Sequence, residues 1–456
     1  MPVSPPRKKF FVGKTAKPYE KMHKSMLSIP MGNTEKTTLF DAAYERRKQP
    51  LLSETLKRLR PIYSQAELNV LRIDSTSREV LSQRSGRGFV NRDILETVLG
   101  NLLECIAPGS HNAPHPHHQK QKFAAAIEEV ADQLYAMVAQ SFLAVADETH
   151  LGTALETAFS LLWELPRLKS RALWNRFASL KDPAVWDAYL LHTGISREKL
   201  AAINFREKID EAIQERTFEP YQDYLATLNL AAVLDYQLQL VISTYPGWRV
   251  LFYHDVAHAL TRSGPTENAD IHRVPVPLLP RAISELGGRY YQADLHPETQ
   301  IGDANLLEHP HRGVTTGQTG IIGSGCVIYP CTLGGLSVKV KQRHPVIGNF
   351  VEIGTDTSLL GPVQIAAHST VGTNTEIYGF VEVEERCRIG SSVVIGTIRG
   401  ASEHPGRIHI GEGVRIGDGT IIENTSEMDL VIPKRSQIPA RSHVANDGFG
   451  FPRYVG

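Results

Sequence analysis

Broken at every sixth position, residues 346–396 read VIGNFV EIGTDT SLLGPV QIAAHS TVGTNT EIYGFV EVEERC RIGSSV VIG. The second residue of each block is aliphatic without a miss: Ile347, Ile353, Leu359, Ile365, Val371, Ile377, Val383, Ile389 and Ile395. A period of six fits neither the 3.6 of an α-helix nor the 2 of a strand, so a repeat architecture is required. A three-sided prism satisfies it. Six residues make one face, three faces make an 18-residue coil, and the aliphatics stack inward as ladders. Glycine follows the aliphatic at positions 348, 354, 372, 390 and 396, which reads as freedom for a tight bend between short flat strands.

The rhythm extends outward from this block, to Leu295, Ile301 and Leu307, to Ile322 and Ile328, and to Ile410, Ile416 and Ile422. It slips in two places. Ile328 and Ile347 are 19 residues apart, one more than a coil, with GGLSVKVKQRHP (334–345) between them, and RGASEHPGR lies between Ile395 and Ile410. Both read as loops ejected from the prism, and loops on a rigid scaffold are where function concentrates.

Upstream the grammar is helical. FAAAIEEVADQLYAMVAQSFLAVA (123–146) and YLATLNLAAVLDYQLQLVI (224–242) place apolar residues three and four apart. The expected fold class is α+β: a helical N-terminal domain followed by a left-handed parallel β-helix of hexapeptide repeats. The expected boundaries are a basic tail at 1–36, a helical domain at 37–289, the prism at 290–425 and a C-terminal tail at 426–456.

Lys plus Arg and Asp plus Glu are 49 each among 456 residues, so nothing favours a nucleic-acid partner. No window approaches the ~20 apolar residues needed to span a bilayer. Cys105, Cys326, Cys331 and Cys387 form no CxxC pair and are too few for a disulfide framework, which points to a reducing cytoplasm. The basic opening segment reads as a tail, with organelle targeting as the alternative. The loop SHNAPHPHHQK, with His111, His115, His117 and His118, reads as solvated rather than as a metal site, and no metal is expected.

Acyl transfer to a hydroxyl needs a base for the hydroxyl proton, a group to orient that base, and donors that hold the acceptor. ADLHPETQIGDANLLEHPHRG supplies Asp294, His296, Glu308, His309 and His311, with Asp294 and His309 15 residues apart. His344 arrives on the ejected loop beside Arg343, a side chain suited to gripping a carboxylate with two hydrogen bonds. Spacing alone leaves ordinary surface histidines as an equal reading.

The segments DLHP (294–297), Glu308-His309, TLGG (332–335) and RHP (343–345) resemble, in order and spacing, the core of serine acetyltransferases. YPGWRVLFYHDVAHAL (245–260) resembles that family's YPG…HRLAH helix, and VPLLPRAISELGGR (276–289) its connector into the prism. The resemblance spans roughly 230–397. It implies acetyl-CoA as co-substrate, His309 as general base, Asp294 orienting it, and Glu308 at the substrate amine. Arg343 is implied at the substrate carboxylate with His344 in the same pocket. It also implies a CoA groove between prisms of a homotrimer, or of a dimer of trimers, bordered by Gly334, Gly335, Gly354, Thr355 and Thr373.

Several positions depart from the family pattern. Its helical-domain Asp falls at Ala232, with Asp235 one turn on as a substitute for substrate binding. Gln318 replaces the Glu of its GET segment, His311 and Arg312 enlarge the loop after His309, and Asp255 replaces an Arg. The final residues FGFPRYVG lack the terminal Ile that docks O-acetylserine sulfhydrylase, leaving that partnership open. The expected activity is serine O-acetylation for cysteine synthesis. The alternatives are another acceptor such as homoserine, or a trimeric scaffold without catalysis.

Overall fold

The computed structural model describes residues 42–63, 68, 71, 92–109, 123–145, 151–177, 239–265, 272–336, 341–397 and 406–455. The described helices are α1 (Ala42–Leu59), α2 (Arg92–Ile106), α3 (Phe123–Ala144), α4 (Leu151–Trp163), α5 (Leu165–Phe177), α6 (Pro246–Ala259) and α7 (Leu279–Tyr291). Asp235, Ala232 and the four histidines of the 110–120 loop lie outside the described residues.

From Ala293 onward the chain winds as a parallel three-sided solenoid. Its first coils are β1 (Ala293–Asp294), β2 (Gln300–Ile301) and β3 (Leu306–Leu307), then β4 (Val314–Thr316), β5 (Ile321–Ile322) and β6 (Val327–Ile328). The third begins with β7 (Cys331–Gly334), β8 (Val346–Ile347) and β9 (Glu352–Ile353). β1, β4 and β7 start one sheet, β2, β5 and β8 the second, and β3, β6 and β9 the third. Pairing is in register coil on coil, with Ile347 opposite Ile365 and Ile365 opposite Val383. All nine ladder aliphatics from Ile347 to Ile395 are buried, as the period requires.

Two expectations need correction. The glycines after the ladder positions do not supply the bend. The left-handed backbone falls two residues later, at Phe350, Asp356, Asn374 and Ser392. The glycines are there because successive coils nearly touch: a methyl on Gly354 would come within 2.7 Å of the Thr373 amide nitrogen, and one on Gly348 within 2.7 Å of the Ala367 nitrogen. The C-terminal segment is also not a tail. Winding continues past 425 through Leu430–Ile432, Gln437–Ile438 and His443–Asn446. Pro452–Tyr454 then folds back antiparallel on the last of these.

α6 belongs to both halves. Trp248, Phe252 and Val256 join the core of the helical domain, while Val250 and Leu251 join the core of the prism. A helix apolar on both sides must be enclosed on both. Its N-terminus touches the prism so closely that a methyl on Gly247 would overlap the carbonyl oxygen of Leu307. That is what the glycine of YPG is for.

A buried ion pair closes the same seam. Arg171 of α5 donates through Nη1 to Asp255 of α6 and through Nη2 to the carbonyl of Gly302, 2.5 Å away in the first coil. Arg167 reaches Asp303 at 3.0 Å. Burial pushes the Asp255 carboxyl up, but Arg171, His254 and Arg167 together outweigh it and hold the group well below the usual carboxylate range. Removing one partner of such a pair strands the other, so Arg171→Leu is expected to cost about 3–5 kcal/mol in urea denaturation. The double variant Arg171→Leu/Asp255→Leu should cost less than the single one. The folded carboxyl lies below its unfolded value of about 3.9. Its contribution is therefore complete above that pH and is lost as pH falls through the folded value.

Candidate active site

The topology sorts the expected site residues onto two corners of the prism. His309 follows β3 and precedes β4, at the corner joining the third sheet to the first. Gly354 and Thr355, after β9, and Thr373, after Thr370–Val371, lie on that same corner in later coils. Arg343, His344, Gly334 and Gly335 flank the ejected loop between β7 and β8, at the corner joining the first sheet to the second. His296 and Gln318 share that second corner, after β1 and β4. One face of about six residues separates the corners, on the order of 15–20 Å at a strand rise of about 3.3 Å per residue.

His309 is exposed, and its backbone is left-handed, with φ 49° and ψ 47°, immediately before a 3-10 turn at Pro310–Arg312. A non-glycine residue held there stores strain, which functional sites tolerate. Its ring meets His311 edge to face, centroids 6.0 Å apart. Arg312 crosses the corner to Asp356 at 3.4 Å.

Asp294 is held by Arg281 of α7 at 3.0 Å, and among the described residues no hydrogen bond joins it to His309. The DLHP segment is gripped from above: Ser284 Oγ donates to the Leu295 carbonyl at 2.5 Å, and His258 Nδ1 lies 2.8 Å from the Pro297 carbonyl. Glu308 is half-buried in the third sheet's pairing, its amide donating to Ile328 at 2.9 Å.

On the second corner, His344 is buried and Arg343 is exposed. The ring of His344 occupies a hollow made by two glycines. A methyl on Gly317 would overlap it, and one on Gly335 would approach Nε2 to 2.7 Å. Gly335 thus makes room for an imidazole. Burial, then Arg343 and His296, push the His344 pKa down. His296 is also lowered by burial, which Glu298 opposes. Gln318 donates to Glu298 at 2.5 Å, so a carboxylate does stand at this corner, carried by a different strand end.

Sequence reasoning missed Thr319, which ties the returning loop down: the amides of Arg343 and His344 both reach its hydroxyl at 3.2 Å. It missed Arg171 and Arg281 as well. A turn threonine and two helical arginines carry no spacing signal. A cleft of about 440 Å³ lies on the seam, lined by Arg167, Asp255, His258, Arg262, Glu298 and Ile321 among others. Its lining includes neither His309, which is exposed on its corner, nor His344, whose ring fills the glycine hollow.

No protein-family model matches the chain. The serine acetyltransferase of Synechococcus elongatus is 33% identical over 126 residues, 27% of this chain and 47% of that protein. The plasmid serine acetyltransferase of the same organism is 32% identical over 323 residues, 64% of this chain and 89% of that protein. The chain thus spans about half the length of the first relative and most of the second. Entamoeba histolytica serine acetyltransferase isoform 3, solved with cysteine, superposes with a TM-score of 0.44 at 20% identity, covering 78% of this chain and 94% of that one. Among the described residues no helix is long and apolar enough to cross a membrane.

The glycine hollow makes a direct prediction. Gly317→Ala should displace the His344 ring and cost roughly 1–3 kcal/mol, as overpacking does. A lowered thermal midpoint checks it, and an unchanged one would mean that the ring swings away freely.

Proposed function

The chain belongs to the serine acetyltransferase family, and on that premise we propose that it transfers the acetyl group of acetyl-CoA to the hydroxyl of L-serine. The product is O-acetylserine, the activated precursor for cysteine synthesis. The observation that carries the reading is the placement of two histidines on different corners of one prism, each beside residues of the family's core motifs.

In this reading His309 takes the serine hydroxyl proton as the oxygen attacks the thioester carbonyl. The tetrahedral intermediate then collapses, the C–S bond breaks, and His309 returns the proton to the departing thiolate. The family motif assigns Asp294 the role of orienting the imidazole and steadying its charged form, which requires it to turn from Arg281, its partner in this prism at 3.0 Å, to His309. Glu308 meets the substrate amine, a role that Asp235 is assigned to share, and Arg343 meets the substrate carboxylate. Gly354, Thr355 and Thr373 run down the corner below His309, where stacked backbone groups suit the pantetheine arm of acetyl-CoA. Gly334 and Gly335 border the groove from the other side.

A site assembled from His309 and His344 needs two prisms, because one prism holds them a face apart. A closed trimer supplies three equivalent pairings of one corner with the other. A homoserine acceptor is the second reading, favoured by the Gln318–Glu298 pair where the family pattern has a single Glu.

Purified protein is expected to release CoA from acetyl-CoA with L-serine, and His309→Ala to lower kcat by about 10²–10⁴. Release with homoserine alone would move the acceptor. No release with any hydroxy amino acid would sink the assignment. Co-expressing His309→Ala with Arg343→Ala chains should restore turnover that neither shows alone, since mixed trimers contain interfaces with both residues intact. No recovery would place the site within a single prism.

A further inference from the structure

Four hydrogen bonds converge on Thr319 and His344, and their donors favour one arrangement of protons. The amides of Arg343 and His344 both donate to Thr319 Oγ1, each at 3.2 Å. A hydroxyl has two acceptor lone pairs and one proton, so the accepting capacity of Thr319 is used. Its own proton goes to His344 Nδ1, 2.9 Å away. The Thr319 amide also points at Nδ1, at 3.3 Å. A backbone N–H is only ever a donor, so Nδ1 must accept, and the neutral ring carries its proton on Nε2.

The surroundings oppose the alternatives. An imidazolium would set its Nδ1 proton against two donors, and Arg343 and His296 stand nearby as further disfavouring charges. Gln342 Nε2 donates to the His344 carbonyl at 2.9 Å and to the Thr319 carbonyl, so the loop and the turn are fixed to one another from a second side. Among the described residues Nε2 has no acceptor. It lies against the hollow of Gly317 and Gly335.

We propose that Thr319 is the positioning residue that fixes His344 as a neutral imidazole with its proton on Nε2. His344 then offers the acceptor a stationary hydrogen-bond donor and takes no proton during the transfer. The partner it fits is an oxyanion of the acceptor, next to the cation of Arg343. The hydroxyl proton passes only through His309. This inference rests on the acetyltransferase reading above and adds to it the device, Thr319, that holds the second histidine in a single tautomer.

The test compares side chains that keep or lose a donor at the Nε2 position. His344→Gln places a non-titrating amide N–H near that position, His344→Asn places one near Nδ1, and His344→Ala places none. His344→Gln is expected to keep kcat/KM for the acceptor within about tenfold of wild type. His344→Asn and His344→Ala should lose roughly 10- to 100-fold, mostly through KM, as loss of a hydrogen bond to a charged group does. Thr319→Val should raise the acceptor KM with kcat and the acetyl-CoA KM nearly unchanged, and Thr319→Ser should restore it. Thermal melts of each variant identify any that fail to fold.

Equal loss in His344→Gln and His344→Ala would overturn the proposal, since that is the pattern of a proton-transferring histidine. So would an unchanged acceptor KM in Thr319→Val. Imidazole ¹⁵N shifts separate this from failure of the functional reading, because they need no turnover. The His344 signal, identified by its absence in His344→Gln, is expected to show an unprotonated Nδ1 and a protonated Nε2 at neutral pH. The opposite tautomer would refute the proposal whatever the substrate is.

Discussion

Every feature of this molecule depends on coil-on-coil registration. Each inner strand of the prism pairs in parallel with the strand one turn before and one turn after it. The inward aliphatics therefore stack on their own kind, and every corner repeats at the same place around the axis. A residue's number, counted around the coil, fixes which corner it occupies. Chemistry is added by spending extra residues at a corner without disturbing the coils on either side. The 3-10 turn after His309 and the loop before Arg343 are both such additions, and β4 and β8 resume pairing in register after them.

The second dependence is on α6, whose two apolar sides leave it no exposed face to spare. It shares one core with the helices and another with the prism, and the Arg171–Asp255 pair sits where the two meet. The family pattern has an Arg where this chain has Asp255, and here the guanidinium comes from α5 instead. The geometric outcome is a cation that binds a carbonyl of the first coil. A substitution that looks disruptive in the sequence is absorbed by a partner 84 residues away.

This contrast marks what the sequence discloses. Periodicity is a local property, so the prism and its ladders could be read from Ile347 to Ile395, and the order of the motifs pointed to one family. The purpose of the glycines could not be read. Bending and close approach both call for glycine, and only the neighbouring coil decides between them. The extent of the prism was underread because coils after Ile422 are interrupted by polar turns that mask the period. Within the site, His309, Arg343 and His344 stood out by motif, whereas Thr319, Arg281 and Glu298 acquire meaning only from neighbours 13 to 25 residues distant. Asp294 was expected beside His309 and instead faces Arg281, because α7 descends onto β1 at that point.

The strand at Pro452–Tyr454 has a consequence for solubility. A parallel solenoid is open-ended, and its last coil presents unpaired amides and carbonyls that suit the first coil of another copy. Unchecked, that geometry is a seed for endless filaments. The returning segment covers one of the three terminal edges with a strand of opposite polarity, opening on a proline and pairing through Val444, Ala445 and Asn446. A parallel newcomer finds no matching pattern there. At the opposite end, α7 runs directly into β1 and packs over it. The chain thus carries at each end of its repeat a feature that hinders the repeat from recruiting more of itself.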